Sequence, residues 1–224
     1  MSNKTYGQLC PLARSLDVLG ERWTLLVIRE LLLGPRRFKD LLAVLPAMGT
    51  NRLSERLASL TTDGVVKKSV LPPPASMPVY ELTELGEQLR DPLIALSLWG
   101  LKLPVDERIE AASARAELIA LSLAGAVGAS TSVGVHEVYE FHVGDERLHF
   151  IVDDGRVLPR AGSAPSGADV SVVCDIETFM ALALRELAPE QAVLEQRAVI
   201  QVGTVSQFVR AFSILGYTGL TTRR

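Results

Sequence analysis

The chain has 224 residues, with 26 acidic and 23 basic side chains and a formal charge of −3; 48% of it is hydrophobic and 22% charged. That composition supports one or two packed domains and excludes disordered and fibrous chains. The mild acidity argues against a nucleic-acid binder, unless two halves of opposite sign are averaged in one sum. Two cysteines, Cys10 and Cys174, exclude a disulfide framework and fit a reducing compartment. The N-terminus lacks the features of a signal peptide, and no apolar run reaches the roughly 18 residues of a membrane span. A cytoplasmic, nucleoid-associated protein without a membrane partner is expected. The 18 Arg against 5 Lys, with abundant Ala and Leu, suggest a GC-rich bacterial genome.

Leu12, Leu16 and Leu19 recur at helical spacing; Gly20 interrupts, and Trp23, Leu26, Val27, Glu30 and Leu31 resume the stripe. Gly34-Pro35 ends that helix. Phe38, Leu41, Leu42 and Leu45 predict a second apolar face, stopped by Pro46. Leu53, Leu57 and Leu60, at i, i+4 and i+7, predict a helix over 51–60, so two short helices flank a tight turn. Val65–Leu71 has the β-branched content of a strand, and Pro72–Pro78 must be an exposed loop. Val79–Leu82 is the return strand, and Thr83 looks like the N-cap of a helix running to about Trp99. Three helices and a hairpin make a winged helix.

From about 106 the pattern changes, and domains of 1–106 and 107–224 are expected. A helical stretch from Glu107 to about Ala126 leads through small residues, 128–134, to strands at Val138–Val143 and Arg147–Val152. Ala168–Cys174 is another strand, Asp175 caps a helix holding Phe179, Leu182 and Leu187, and Ala198–Val202 is a last strand. Val205, Phe208, Val209, Phe212 and Leu215 close the chain with an amphipathic helix. The fold class is α+β in two domains: an N-terminal winged helix-turn-helix, then a mainly antiparallel sheet with helices on one face.

The helix over 51–60 turns Asn51, Arg52, Ser54, Glu55, Arg56 and Ser59 outward or to its start. Arg and Asn are the side chains that read guanine and adenine edges bidentately in the major groove. Its first turn, with Thr50, also suits phosphates through backbone amides. Arg36, Arg37 and Lys39 precede the first helix of the pair, and Lys67 and Lys68 enter the wing. From Arg36 to Lys68, seven basic residues stand against Asp40, Glu55 and Asp63, a local charge of +4. Residues 1–106 carry 13 basic and 11 acidic side chains, and 107–224 carry 10 and 15. Opposite halves had been averaged.

These residues also carry a resemblance. Cys10-Pro11, Leu16–Leu31 (LDVLGERWTLLVIREL), Gly34–Leu41 (GPRRFKDL), Thr50–Leu57 (TNRLSERL), Asp63–Val66 and Tyr80–Gly86 (YELTELG) are colinear with the HxlR family of bacterial transcriptional regulators over about 10–100. The resemblance implies a MarR-like winged-helix homodimer on a palindromic operator, dimerising through its N-terminal and late helices, and we expect a repressor. Residues 72–78 depart from the family pattern, which usually has an Arg and an acidic residue there. Some relatives place a redox-sensing thiol at the position of Cys10. Arg14, one helical turn on, could favour its thiolate; a small packing residue is the alternative reading.

The C-terminal half has no GxGxxG, Walker or CxxC motif, and we expect no catalysis, cofactor or metal. If Gly144–Glu146 forms the hairpin loop, His142 and His149 point to opposite faces. Asp153-Asp154-Gly155 reads as a turn. Phe141, Phe150, Val152, Phe179, Leu182, Val199, Phe208 and Phe212 are candidate core. Phe150–Val157, Ala168–Val172, Phe179–Leu182 and Gln191–Gly203 resemble the sterol carrier protein domain over about 115–216, which implies an apolar site and a hydrophobic small-molecule effector. The alternative is a lipid carrier that uses its winged helix mainly for dimerisation. More remote is an enzyme, since some methyltransferases dimerise through a winged helix.

Overall fold

The computed structural model describes residues 5–100, 102–104, 114–126 and 132–215. The chain forms two compact units, Met1–Leu93 and Ile94–Arg224. The expected domain boundary at 106/107, the start of the Glu107 helix and the first part of the small-residue segment lie outside the described residues.

The first unit contains α1 (Pro11–Leu19), α2 (Thr24–Leu32), α3 (Phe38–Val44), a 3-10 turn at Pro46–Met48, and α4 (Thr50–Thr62). The hairpin β1 (Val66–Val70) and β2 (Pro78–Leu82) follows, then α5 (Glu84–Glu87) and α6 (Arg90–Gly100), which runs across the division between the units. Its core is built from periodicity. Val27, Ile28, Leu31 and Leu32 of α2, Leu41 of α3, and Leu53, Leu57 and Leu60 of α4 are all fully buried, each at the helical spacing the sequence showed. By contrast Leu12 and Leu16, the apolar stripe of α1, are exposed.

Two expectations are corrected here. Pro78 is not loop but the first residue of β2, paired with Val70; that position at the end of a two-stranded ribbon needs no proline N–H. The helix from Thr83 to Trp99 is broken between Glu87 and Arg90. Pro92 lacks the N–H that a continuous helix would send to the Gln88 carbonyl, and its ring crowds that oxygen, so α6 starts afresh with Pro92 in its first turn. Thr83 nevertheless caps α5: its hydroxyl accepts the Gly86 N–H at 3.2 Å and donates to the Gly64 carbonyl at 2.6 Å. A Cβ at position 86 would lie 2.2 Å from the Val65 carbonyl oxygen, so only glycine lets α5 seat on the hairpin.

The second unit contains α7 (Ala116–Ala126), β3 (His136–Val143), β4 (Glu146–Asp153), β5 (Arg156–Ala161), β6 (Val170–Cys174), α8 (Ile176–Ala183), α9 (Pro189–Leu194), β7 (Ala198–Val202) and α10 (Val205–Leu215). The sheet order is β5-β4-β3-β6-β7; β3 and β6 run parallel and the other neighbours antiparallel. Alternation puts Tyr139, Phe141 and Val143 on the same face as Leu148, Phe150, Val152, Val170 and Val172. That face packs on Leu123, Phe179, Leu182, Phe208 and Phe212 from the helices. Phe141 sits at its centre, with the rings of Phe179, Phe212 and Phe150 edge-on at 5.4, 5.5 and 5.9 Å.

Val199 belongs elsewhere. It pairs with Val173 on the opposite face and is 55% exposed, so it leaves the candidate core. Two elements lack a clear signal in the sequence. β5 contains Pro159, tolerated because β5 is an edge strand, and α9 is a six-residue helix opened by Pro189 at its first turn.

Candidate nucleic-acid interface

The hairpin is tied to the helices by a single antiparallel bridge. Arg36 donates its N–H to the Tyr80 carbonyl at 3.0 Å, and Tyr80 returns one to Arg36 at 2.8 Å. Arg90 fastens the far side, donating to the Leu32 carbonyl at 3.0 Å and pairing with Glu87 at 2.7 Å. On this frame α4 buries Leu53, Leu57 and Leu60 completely and turns Thr50, Asn51, Arg52, Ser54 and Glu55 to solvent, with Arg56 half-buried beside them. Among the described residues neither Arg52 nor Arg56 has an ion-pair partner. The N-cap of α4 is Gly49, at φ 75° with no side-chain cap, so the first-turn amides are not closed off by a side chain.

The remaining basic residues fall into two groups. Lys39 is exposed on α3 and has no partner among the described residues. Arg37 is committed: Nε and Nη2 donate to the two Asp40 oxygens at 2.7 and 3.0 Å, and Nη1 approaches Met77 Sδ at 3.5 Å. Burial alone would raise the Asp40 carboxyl; the Arg37 hydrogen bonds and charge outweigh it and hold that group below its ordinary range. Lys67 pairs with Glu81 at 3.1 Å, and the Lys68 ammonium lies 5.9 Å from the Tyr80 ring centre. The wing tip, residues 71–77, carries no charge. Cys10 is exposed as the N-cap residue of α1, whereas burial, with Asp175 adding to it, pushes the Cys174 thiol up to about 12.

In the second unit the expectation for the histidines is corrected. The hairpin turn holds only Gly144 and Asp145, so His142 pairs with Arg147 and His149 with Glu140. One residue of register moves both imidazoles to one face, away from the aromatic core. There His142 Nε2 meets Glu140 Oε1 at 2.6 Å, the Ala164 N–H donates to Glu140 Oε2 at 2.6 Å, and His149 Nδ1 meets the Gly162 carbonyl at 2.8 Å. These contacts pin the connection from β5 to β6. Among the described residues no three His, Cys, Asp or Glu side chains are arranged to hold a metal ion, and no helix is long and apolar enough to cross a membrane.

An apolar cleft, expected from the sterol carrier protein resemblance but not placed by the sequence, lies between α8 and α10. It has a volume of about 290 Å³ and is lined by Leu182, Leu187, Pro189, Val209 and Phe212, with Arg185 and Ser213 at its edge. Its sequence signals are the apolar face of α10 and the sterol carrier protein resemblance, which implies an apolar site without placing it between these helices.

Three helices, a tight turn into an exposed basic helix, and a hairpin bridged back to the helical frame define a winged helix-turn-helix protein. Residues 18–106 match the HxlR-like helix-turn-helix family, and residues 123–201 match the SCP-2 sterol transfer family. The chain is 38% identical over 93 residues to the HTH-type transcriptional regulator YvaP of Bacillus subtilis, covering 41% of this chain and 86% of that protein. It is 37% identical over 94 residues to the regulator sll1512 of Synechocystis, covering 42% and 70%. Against the regulator YodB of Bacillus subtilis the identity is 35% over 92 residues, covering 41% and 82%. The chain belongs to the HxlR-like helix-turn-helix family. It is a transcriptional regulator of that type, with a sterol-transfer-like domain joined behind its winged helix.

Proposed function

We propose that the protein is a non-enzymatic, cytoplasmic regulator that binds a palindromic operator as a homodimer, reading the major groove with α4. The second unit takes an apolar small molecule that adjusts binding. The carrying observation is the division of α4 into a fully buried leucine face and a solvent face of Asn51, Arg52 and Glu55, with Arg52 unpaired among the described residues. Asn and Arg are the residues that discriminate adenine and guanine. Association has apolar surface to cover: α1 exposes Leu12 and Leu16, and α6 exposes Leu96 and Trp99. A two-fold dimer would place its α4 helices one DNA turn apart, about 34 Å. An effector acts only by binding the two dimer geometries unequally, and about 1.4 kcal/mol of difference changes operator affinity tenfold.

The test is a mobility shift with the DNA upstream of the protein's own coding sequence, across salt concentrations. A specific complex that weakens as salt rises is expected; absence of any specific band at low salt overturns the reading. The cleft of the second unit favours one other reading, a carrier of apolar ligands whose winged helix only dimerises. For a carrier, Arg52→Ala would leave the protein's function intact.

A further inference from the structure

The sheet of the second unit ends in two edges of opposite character. At one end β5 carries Arg156, Pro159 and Arg160, and α7 packs against it. Charge, proline and a covering helix are the devices that keep a strand edge from pairing with another chain. At the other end β7, Ala198–Val202, holds no charged residue and no proline. Among the described residues, no backbone group of Ala198–Val202 is bonded outside the sheet, so the N–H and C=O groups that face away from β6 are open to a further strand. Exposed apolar side chains gather round this edge: Leu194 at the end of α9, Val205 at the start of α10, and Val199 and Val202 on β7 itself. Ile200 pairs with Val172 but Val202 with Ser171, and that register shift puts Val202 on the same face as Val199, opposite the aromatic core. A groove of about 440 Å³ borders the edge, and none of the described residues that line it is charged.

We propose that β7 pairs antiparallel with β7 of a second copy of this chain, about a two-fold axis at Val199. Ala198–Ile200 precede the register shift and form regular strand. The axis sets Val199 against its own copy, Ala198 against Ile200, and Arg197, the only charge from 197 to 203, against the uncharged Gln201. No like charges meet, and one patch serves both copies, as a two-fold contact requires. The size of the surface points to the same occupant. One short strand and four apolar side chains fall well below the roughly 1,600 Å² of total area in a standard interface, so a free partner gains little from them. A copy already held through the first unit is present at high effective concentration, and a contact too weak to form alone then adds to the whole. The inference therefore rests on the homodimer reading and gives that dimer a second contact.

Hydrogen–deuterium exchange on the full chain over a series of concentrations tests this, beside sedimentation of the parent, Val199→Lys and Val133→Lys. Val199 and Val133 are 55% and 66% exposed, so neither lysine enters a core. Only the first sets two ammonium groups opposite one another on the pairing axis. In the parent, uptake at residues 198–202 should slow over the concentration range in which the chain dimerises. Val199→Lys should abolish that slowing and raise the dimer dissociation constant at least about tenfold, as one of two joined contacts is lost. Val133→Lys should change neither. Uptake at 198–202 that ignores concentration while the chain dimerises would overturn the pairing, leaving the edge open or covered by the same chain. A dimer untouched by Val199→Lys, or weakened equally by Val133→Lys, would overturn it too, and in each of these cases the homodimer reading stands. A chain that stays monomeric throughout overturns the homodimer reading and this inference with it.

Discussion

The two units differ in where their cations are left without a carboxylate partner. In the second unit several cations are tied to the protein's own carboxylates: Arg115 to Glu117, Arg197 to Glu195 and Arg210 to Glu137. In the first unit the same economy holds on the wing and at the start of α3, where Lys67 and Arg37 are paired, and stops at α4 and Lys39. The difference locates the phosphate-facing surface more sharply than net charge does. Of the seven cations from Arg36 to Lys68, Arg37 and Lys67 are answered by Asp40 and Glu81, and Lys39, Arg52 and Arg56 have no ion-pair partner among the described residues, which marks these three for phosphate or base contact.

The contrast can be broken at several levels. The largest expected effect is on the cores. Phe141→Ala removes the central ring of the second unit and should cost about 3–5 kcal/mol, and Leu57→Ala about 2–5 kcal/mol in the first. Thermal unfolding should show each substitution lowering its own transition; a single transition lowered equally by both would show that the units do not unfold separately. Next, Arg52→Ala should weaken operator binding by about 1–3 kcal/mol and relax the preference at one base pair, measured by binding to a set of singly substituted operators. A uniform loss across that set would make Arg52 a phosphate contact instead.

Legibility followed the same physical lines. The buried face of α4 was readable because Leu53, Leu57 and Leu60 repeat at a helical period that core packing enforces, and the outward residues follow from it by subtraction. The pairing of Arg37 with Asp40 was invisible, since nothing in spacing tells a solvated charge from an answered one. Pro92 is in plain view, yet its effect depends on the carbonyl four residues earlier, so pattern alone joins the run from Thr83 into one helix. The histidines show how sharp the limit is: a turn of two residues rather than three reverses every face assignment on β4. The resemblance implies an apolar site, but its place was not legible, because the walls come from α8 and α10, about thirty residues apart, and the left-handed Arg185 has no sequence signature.

Smaller effects sharpen the comparison further. Asp175→Ala removes the N-cap whose carboxylate accepts the Thr178 N–H at 2.7 Å and should cost about 0.5–2 kcal/mol in the second unit. The Asp175 carboxyl is held below its ordinary range, first by the Thr178 hydrogen bonds. Its contribution is therefore present above the ordinary carboxylate pKa of about 4 and is lost as pH falls through the lowered native value. A melting temperature for Asp175→Ala that converges on the parent's in acid checks that sign. Lys67→Ala should change operator affinity and its salt dependence least, because that ammonium already faces Glu81; a salt slope reduced by a full contact would return it to the interface. With a thiol reagent at pH 8, Cys10 should react and Cys174, at about 12, should not.

The bare start of α4 has a consequence for timing. Gly49 offers no side chain to close the first turn, so in the free protein the amide protons there should exchange with solvent early, ahead of those near Leu57. A bound phosphate oxygen supplies the missing acceptor, and DNA becomes, in effect, the helix's cap. Deuterium uptake at residues 50–52 would then slow on operator binding while uptake in the leucine-lined turns stays level. Protection confined to that one turn would record contact as a local clock, independent of any measured affinity.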